Sequence, residues 1–147
     1  MEEALVRLAR KPAVSVPKDA TVLDAVNVML EHRVGATLVL EDGRVIGIFT
    51  ERDVMAKVVA AGHDAAATRL TTVMTFPVQT ISAKASISDA LDRMLTHHIR
   101  HLPVIDAEDR VIGTLSMRYL MRDRIDFLQD EARSLENYIG TEGIAGG

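Results

Sequence analysis

Two short stretches of the chain hold the side chains best able to do chemistry. In Thr50-Glu51-Arg52-Asp53 a hydroxyl and a carboxylate stand three apart, just after the apolar run Val45-Ile46-Gly47-Ile48-Phe49. That spacing is a capping box, in which the Thr hydroxyl accepts from the N–H three residues on and the acid reaches back. The same carboxylate is a pure acceptor and can hold both hydroxyls of a diol. A helix start also favours an anion, through its free N–H groups and its dipole. Arg52 opposes that dipole at a cost of roughly 0.3–1 kcal/mol. The cost is sensible if Arg52 faces a phosphate; otherwise Arg52 is a solvated arginine. The second stretch holds His97, His98, Arg100 and His101. Histidine is the commonest metal ligand, but no acid or cysteine stands at ligand spacing, and the adjacent His97 and His98 diverge at a helix end. No metal is expected. No nucleophile elbow or Gly-rich phosphate loop is present, so catalysis is not expected either.

The elements that position these residues occur twice. Residues 12–41 align with 77–106 at an offset of 65, and 42–55 align with 108–121 after one inserted residue, Ala107. Between 20 and 55, 13 of 36 aligned pairs are identical. Thr21 and Ser86 precede Asp24 and Asp89 by three residues, the spacing that starts a helix. Val22, Ala25, Val26, Met29 and Leu30 follow at helical spacing, and Ile87, Ala90, Leu91, Met94 and Leu95 repeat it. Two strands come next in each copy, at 36–40 and 45–50 and at 102–105 and 111–116, with a turn at Asp42-Gly43 in the first pair. With short lead-in strands at 14–16 and 78–81 and a closing helix from Thr50 or Ser116, each copy reads β-α-β-β-α. This is an α/β (α+β) fold of two pseudo-twofold repeats. One copy is too small to bury both faces of its sheet, so the copies are expected to pack sheet to sheet around one core. His32 matches His97, which suits a helix C-terminus.

Composition bounds the function. The chain has 147 residues, 48% apolar and 26% charged, enough for a core without disulfide or metal staples. A net charge of −4 suits a nucleic-acid binder poorly. The absence of cysteine excludes disulfides, thiolate zinc and a Cys nucleophile. No signal peptide or membrane-length apolar run is visible, so a cytoplasmic soluble protein without membrane attachment is expected. Thirteen of the 17 basic residues are Arg, the side chain suited to bidentate phosphate contacts.

Residues 45–54 resemble the closing signature of a CBS domain. Val73-Met74-Thr75 resembles that family's lead into a second copy, and Arg100-His101-Leu102-Pro103-Val104 resembles its middle strand. The ending Leu135-Glu136-Asn137-Tyr138-Ile139 is similar to small stand-alone bacterial CBS-pair proteins. The resemblance covers about 12–121. It implies a tandem CBS pair (a Bateman module) with two clefts, many of which bind adenine nucleotides. It further implies that each cleft joins the signature of one copy to the wall of the other. The first cleft then combines Ile48, Thr50, Arg52 and Asp53 with Val78, Gln79, Thr80, Arg100, His101 and Pro103, and Asp53 accepts from ribose hydroxyls. Val78-Gln79-Thr80 is expected as an edge strand whose backbone reads adenine. The second cleft combines Ser116, Arg118 and Tyr119 with Ala13, Val14, Ser15, Gly35 and Ala36. There Tyr119 replaces the acid and Gly35-Ala36 replaces the basic wall. The second cleft is therefore expected to be weak or empty, an apolar slot or one closed by the Tyr119 ring.

The expected organisation is a first repeat with an N-terminal helix at 1–61, a linker at 62–76, a second repeat at 77–121, a C-terminal helix at 122–139 and a frayed end at 140–147. In the tail, Met121, Ile125, Leu128, Ala132, Leu135 and Ile139 are spaced 4, 3, 4, 3, 4. This seam of heptad type packs either on its own domain or across a homodimer. The expected function is a regulatory homodimer that senses AMP, ATP or NAD and signals to an unknown regulated protein. The alternative is a structural or interaction module with vestigial clefts.

Overall fold

The computed structural model describes residues 3–145. Two three-stranded sheets carry the two repeats. In the first, β1 (Ser15–Pro17) runs parallel to β2 (Ala36–Glu41), which pairs antiparallel with β3 (Arg44–Thr50). In the second, β4 (Ile81–Ser82) runs parallel to β5 (His101–Ile105), which pairs antiparallel with β6 (Val111–Ser116). The helices are α1 (Ala4–Leu8), α2 (Val22–His32), α3 (Glu51–Asp53, widening to π geometry over Val54–Val59), α4 (Ile87–His97) and α5 (Met117–Ala145).

The local grammar accounts for these boundaries. Thr21 and Ser86 cap α2 and α4 in complete capping boxes with Asp24 and Asp89. Both helices end on residues in the left-handed region, Arg33 and His98, at φ 54°. The tight turn between β2 and β3 has positive φ at both Asp42 and Gly43, the geometry that suits a two-residue hairpin.

The two cores are separate, a departure from the single shared core that the sequence suggested. One gathers Val22, Ala25, Met29, Val39, Phe49 and Val58. The other gathers Ile81, Ala90, Met94, Leu102, Val104 and Leu115. The copies are joined by exchange. Leu5 and Ala9, before the first copy, pack into the second core. Leu70 and Val73, before the second copy, pack into the first. Backbone bridges repeat the exchange: Arg10 pairs with Thr114 on β6, and Thr75 pairs with Ile48 on β3. Arg10 and Thr75 are repeat mates, and so are Ile48 and Thr114. A fully buried leucine contributes about 2 kcal/mol, so Leu5 and Leu70 each pin one half to the other.

The lead-in strand of the second copy starts later than expected. Val78, Gln79 and Thr80 form irregular backbone, and only Ile81–Ser82 pair with β5. The closing helix also differs from expectation. It runs unbroken from Met117 through the expected boundary at 121/122 and past Ile139 to Ala145; residues 146 and 147 lie outside the described residues. No helix among the described residues is long and apolar enough to cross a membrane.

Candidate functional site: two clefts between the repeats

The crossing segments leave two clefts, one on each side of a wall made by Gly35, Ile48 and His101, which line both. The first is the larger, about 690 Å³. Of its expected residues, Ile48, Thr50, Arg52, Asp53, Val78, Gln79, Arg100 and His101 line it. Pro103 is buried within β5 opposite Thr114, and Thr80 lies outside the cavity with its carbonyl accepting from the Arg93 guanidinium. Thr75, Glu51 and His98 also line it and were missed.

Asp53 is buried and already engaged. Its carboxylate accepts from the Thr50 N–H at 3.1 Å and from the Thr75 hydroxyl at 3.0 and 3.1 Å. The Lys57 ammonium lies 3.1 Å away and also donates to the Thr75 hydroxyl. Thr50 Oγ1 in turn accepts from the Asp53 N–H. The capping role and the cleft-facing role therefore coexist in one residue. A carboxylate offers about four acceptor positions, so any further donor to Asp53 competes with Lys57 and Thr75. Lys57 is well placed to yield, being exposed on its outer side.

The second cleft encloses about 240 Å³. Val14, Gly35, Ala36, Ser116, Arg118 and Tyr119 line it as expected; Ala13 and Ser15 do not. Ser116 caps α5 through the Tyr119 N–H, and the Tyr119 side chain is half exposed at the rim, leaving the cavity open. Gly35 and Ala36 stand at the wall as expected, but positive charge reaches the cleft from other positions. Arg10 and Arg33 line this cleft together with Arg118, and among the described residues no acid does. The first cleft sets Arg52 and Arg100 against Glu51 and Asp53. Arg10 comes from the crossing segment and Arg33 from the αL end of α2, positions outside the matched motifs. They are the repeat mates of Thr75 and His98, which line the first cleft and were missed as well. Thr114 Oγ1 is buried in this wall without a hydrogen-bond partner.

Burial pushes the His101 imidazole below its ordinary value; Glu51 pulls it up and Arg100 pushes it further down. Among the described residues no cluster of His, Cys, Asp and Glu could hold a metal ion.

The CBS domain model matches this chain twice, at residues 5–60 and 70–126. The chain belongs to the CBS domain family. A CBS domain-containing protein of Bacillus subtilis is 31% identical over 103 residues, which cover 70% of this chain and 72% of that protein. A meiotically up-regulated protein of Schizosaccharomyces pombe is 39% identical over 100 residues, but the match spans only 14% of its length. Among solved structures, a CBS-domain protein from Burkholderia ambifaria is 33% identical with a TM-score of 0.76, covering 84% of this chain and 93% of that one. A CBS domain protein from Pyrobaculum aerophilum in complex with AMP is 25% identical with a TM-score of 0.75, covering 84% and 95%. The two matched segments show that the exchange is built into the repeat, since each begins in the segment that packs into the other core.

Proposed function

We propose that this CBS pair is a non-catalytic, cytoplasmic regulatory module that senses an adenine nucleotide (AMP, ATP or NAD) and acts as a homodimer on a regulated protein. The observation that carries this reading is the first cleft, where a buried acceptor, Asp53, stands across the repeat boundary from Arg100, with Arg52 beside it. Asp53 takes the ribose diol, and the arginines take phosphate oxygens through charge-assisted bonds. The AMP found in the Pyrobaculum protein supports the ligand class. Every ligand seated there touches both repeats, so binding biases their relative position. In the second cleft the orphaned Thr114 hydroxyl and three arginines without an acid suit an anionic ligand.

A second reading has its own observation. The Asp53 carboxylate already has Thr50, Thr75 and Lys57, so it serves equally as an internal brace in a module whose clefts bind nothing. Thermal-shift measurements with AMP, ADP, ATP, NAD and S-adenosylmethionine separate the two. Binding to the native state must raise the melting temperature, by about 2.7 kcal/mol of stability at a hundredfold excess over Kd. A melting temperature unmoved by all five leaves the brace as the sufficient account.

A further inference from the structure

The longest element of the protein is exposed along most of its length. From Arg124 onward every residue of α5 with a described side chain is exposed, and the main contacts of α5 within its own chain are with α4 and β6. Arg124 donates to Ser88 on α4, and beyond that point the described side chains of the helix are all exposed. The alternative of a helix folded back on its own domain is thereby removed. Yet this exposed helix has an apolar seam. Met121, Ile125, Leu128, Leu135 and Ile139 are each at least half exposed. With the exposed Ala132 they form one stripe, about 27 Å long at 1.5 Å per residue. An isolated helix with such a stripe gains by covering it.

We infer that α5 pairs antiparallel with α5 of a second copy, centred on residue 130. This deepens the homodimer reading above and rests on it. The argument is self-complementarity. In an antiparallel pair with that centre, Met121 meets Ile139, Ile125 meets Leu135 and Leu128 meets Ala132, and the twofold axis repeats each contact. All six seam positions are used and none overhangs. The flanking charges then choose between directions. In the antiparallel pair Arg122 falls beside Glu136 of the second copy, twice, and a single like-charge pair, Glu131 with Glu131, lies near the axis. In a parallel pair at the same seam Glu131 falls beside Glu136 of the second copy, twice, and no opposite charges meet. The helix dipoles also oppose one another only in the antiparallel arrangement. A partner of different sequence has no reason to match both ends of this helix, whereas a second copy does so by construction.

The chain contains no cysteine, so introduced thiols report unambiguously. Gln129→Cys places two thiols face to face across the antiparallel axis. Ile125→Cys places them opposite each other only in a parallel pair; in the antiparallel pair they stand ~15 Å apart, beyond the roughly 7 Å reach of a disulfide. The expected result is a dimer in sedimentation velocity, rapid oxidative cross-linking of the Gln129→Cys protein and none of the Ile125→Cys protein. Arg122→Glu is expected to weaken the dimer roughly tenfold, and adding Glu136→Arg is expected to restore it. Cross-linking of Ile125→Cys overturns the direction. A stable dimer in which neither variant cross-links overturns the pairing but leaves the homodimer intact. A monomer at all concentrations overturns both.

Discussion

The two clefts share a backbone and differ in almost every side chain that faces the ligand space. Both are framed by a crossing segment bridged to the last strand of the other copy, Thr75 to Ile48 and Arg10 to Thr114. Within that frame Asp53 is matched by Tyr119, Thr75 by Arg10, His98 by Arg33 and Arg100 by Gly35. The first cleft sets two arginines against two carboxylates, one of them the buried Asp53. The second has three cations, no anion and an unsatisfied hydroxyl. Duplication preserved the hydrogen bonds that define the fold and left the lining free to diverge. The lesson is that two repeats with one apolar pattern can carry cleft linings of different charge on one backbone frame.

The largest expected effect breaks the first cleft. Asp53→Ala removes a buried carboxylate that caps α3 and holds Thr75 and Lys57. Nucleotide binding should weaken by about 1.5–3 kcal/mol, the scale of hydrogen bonds to a charged group. Stability should also fall, because the Thr50 N–H, the Thr75 hydroxyl and Lys57 lose their shared acceptor. The capping spacing is legible in the sequence, whereas Thr75 closing on the acid from the crossing segment is not. Asp53→Asn, nearly the same size, helps to separate the roles. Calorimetry showing wild-type affinity in both variants would falsify the ribose role.

The second test probes the frame. Gly47 and Gly113 are repeat mates in β3 and β6. A Cβ on Gly113 would lie 2.5 Å from the backbone carbonyl oxygen of Arg10, whereas one on Gly47 would lie 2.2 Å from Sδ of Met74, the end of a flexible side chain. The methionine can turn aside; the crossing backbone cannot without losing its bridge to Thr114. Gly113→Ala should therefore cost about 1–3 kcal/mol in chemical denaturation, and Gly47→Ala distinctly less. Equal costs would show that the Arg10 segment is not held as firmly as its bridge implies.

A third, smaller effect sharpens the charge contrast. Arg33→Ala and Arg118→Ala should each lower ATP affinity several-fold, and AMP affinity less, because fewer phosphate charges meet the second cleft. Exposure keeps each contribution near 1 kcal/mol rather than the full strength of a buried pair. Parallel titrations at two salt concentrations check it. A loss that is the same for AMP and ATP places the arginines away from the phosphates.

Much of this was legible in the sequence, and the misses have physical causes. Capping boxes, hairpins and the repeat follow from local spacing, which is why α2, α4 and five of the six strands lie close to where the pattern put them. The exchange of Leu5 and Leu70 between cores was not legible, because an apolar residue in a short segment does not say which core receives it. Arg10 and Arg33 were missed for the same reason: they lie outside the signature motifs and reach the cleft only through that exchange and through an αL helix end. Thr80 and Pro103 were expected in the first cleft and do not line it, since short lead-in strands and strand depth depend on packing rather than pattern.

The smallest effect concerns the wall that both clefts share. His101 lines each of them, and burial lowers its pKa, with Glu51 and Arg100 acting in opposite directions. In the unfolded chain a histidine titrates near 6.5. Between that value and the lower folded one, the unfolded state binds a proton that the native state refuses. Stability therefore rises with pH across this window; it is fully present above about 6.5 and is lost as the pH falls through the folded value. Between pH 7.5 and 5.5 the wild type should lose more melting temperature than His101→Gln, by on the order of 2 °C. An anionic ligand in either cleft should shrink that difference, because it favours the imidazolium that burial disfavours. If the two proteins lose the same melting temperature with acid, His101 carries no net proton linkage, and the wall between the clefts is electrostatically silent.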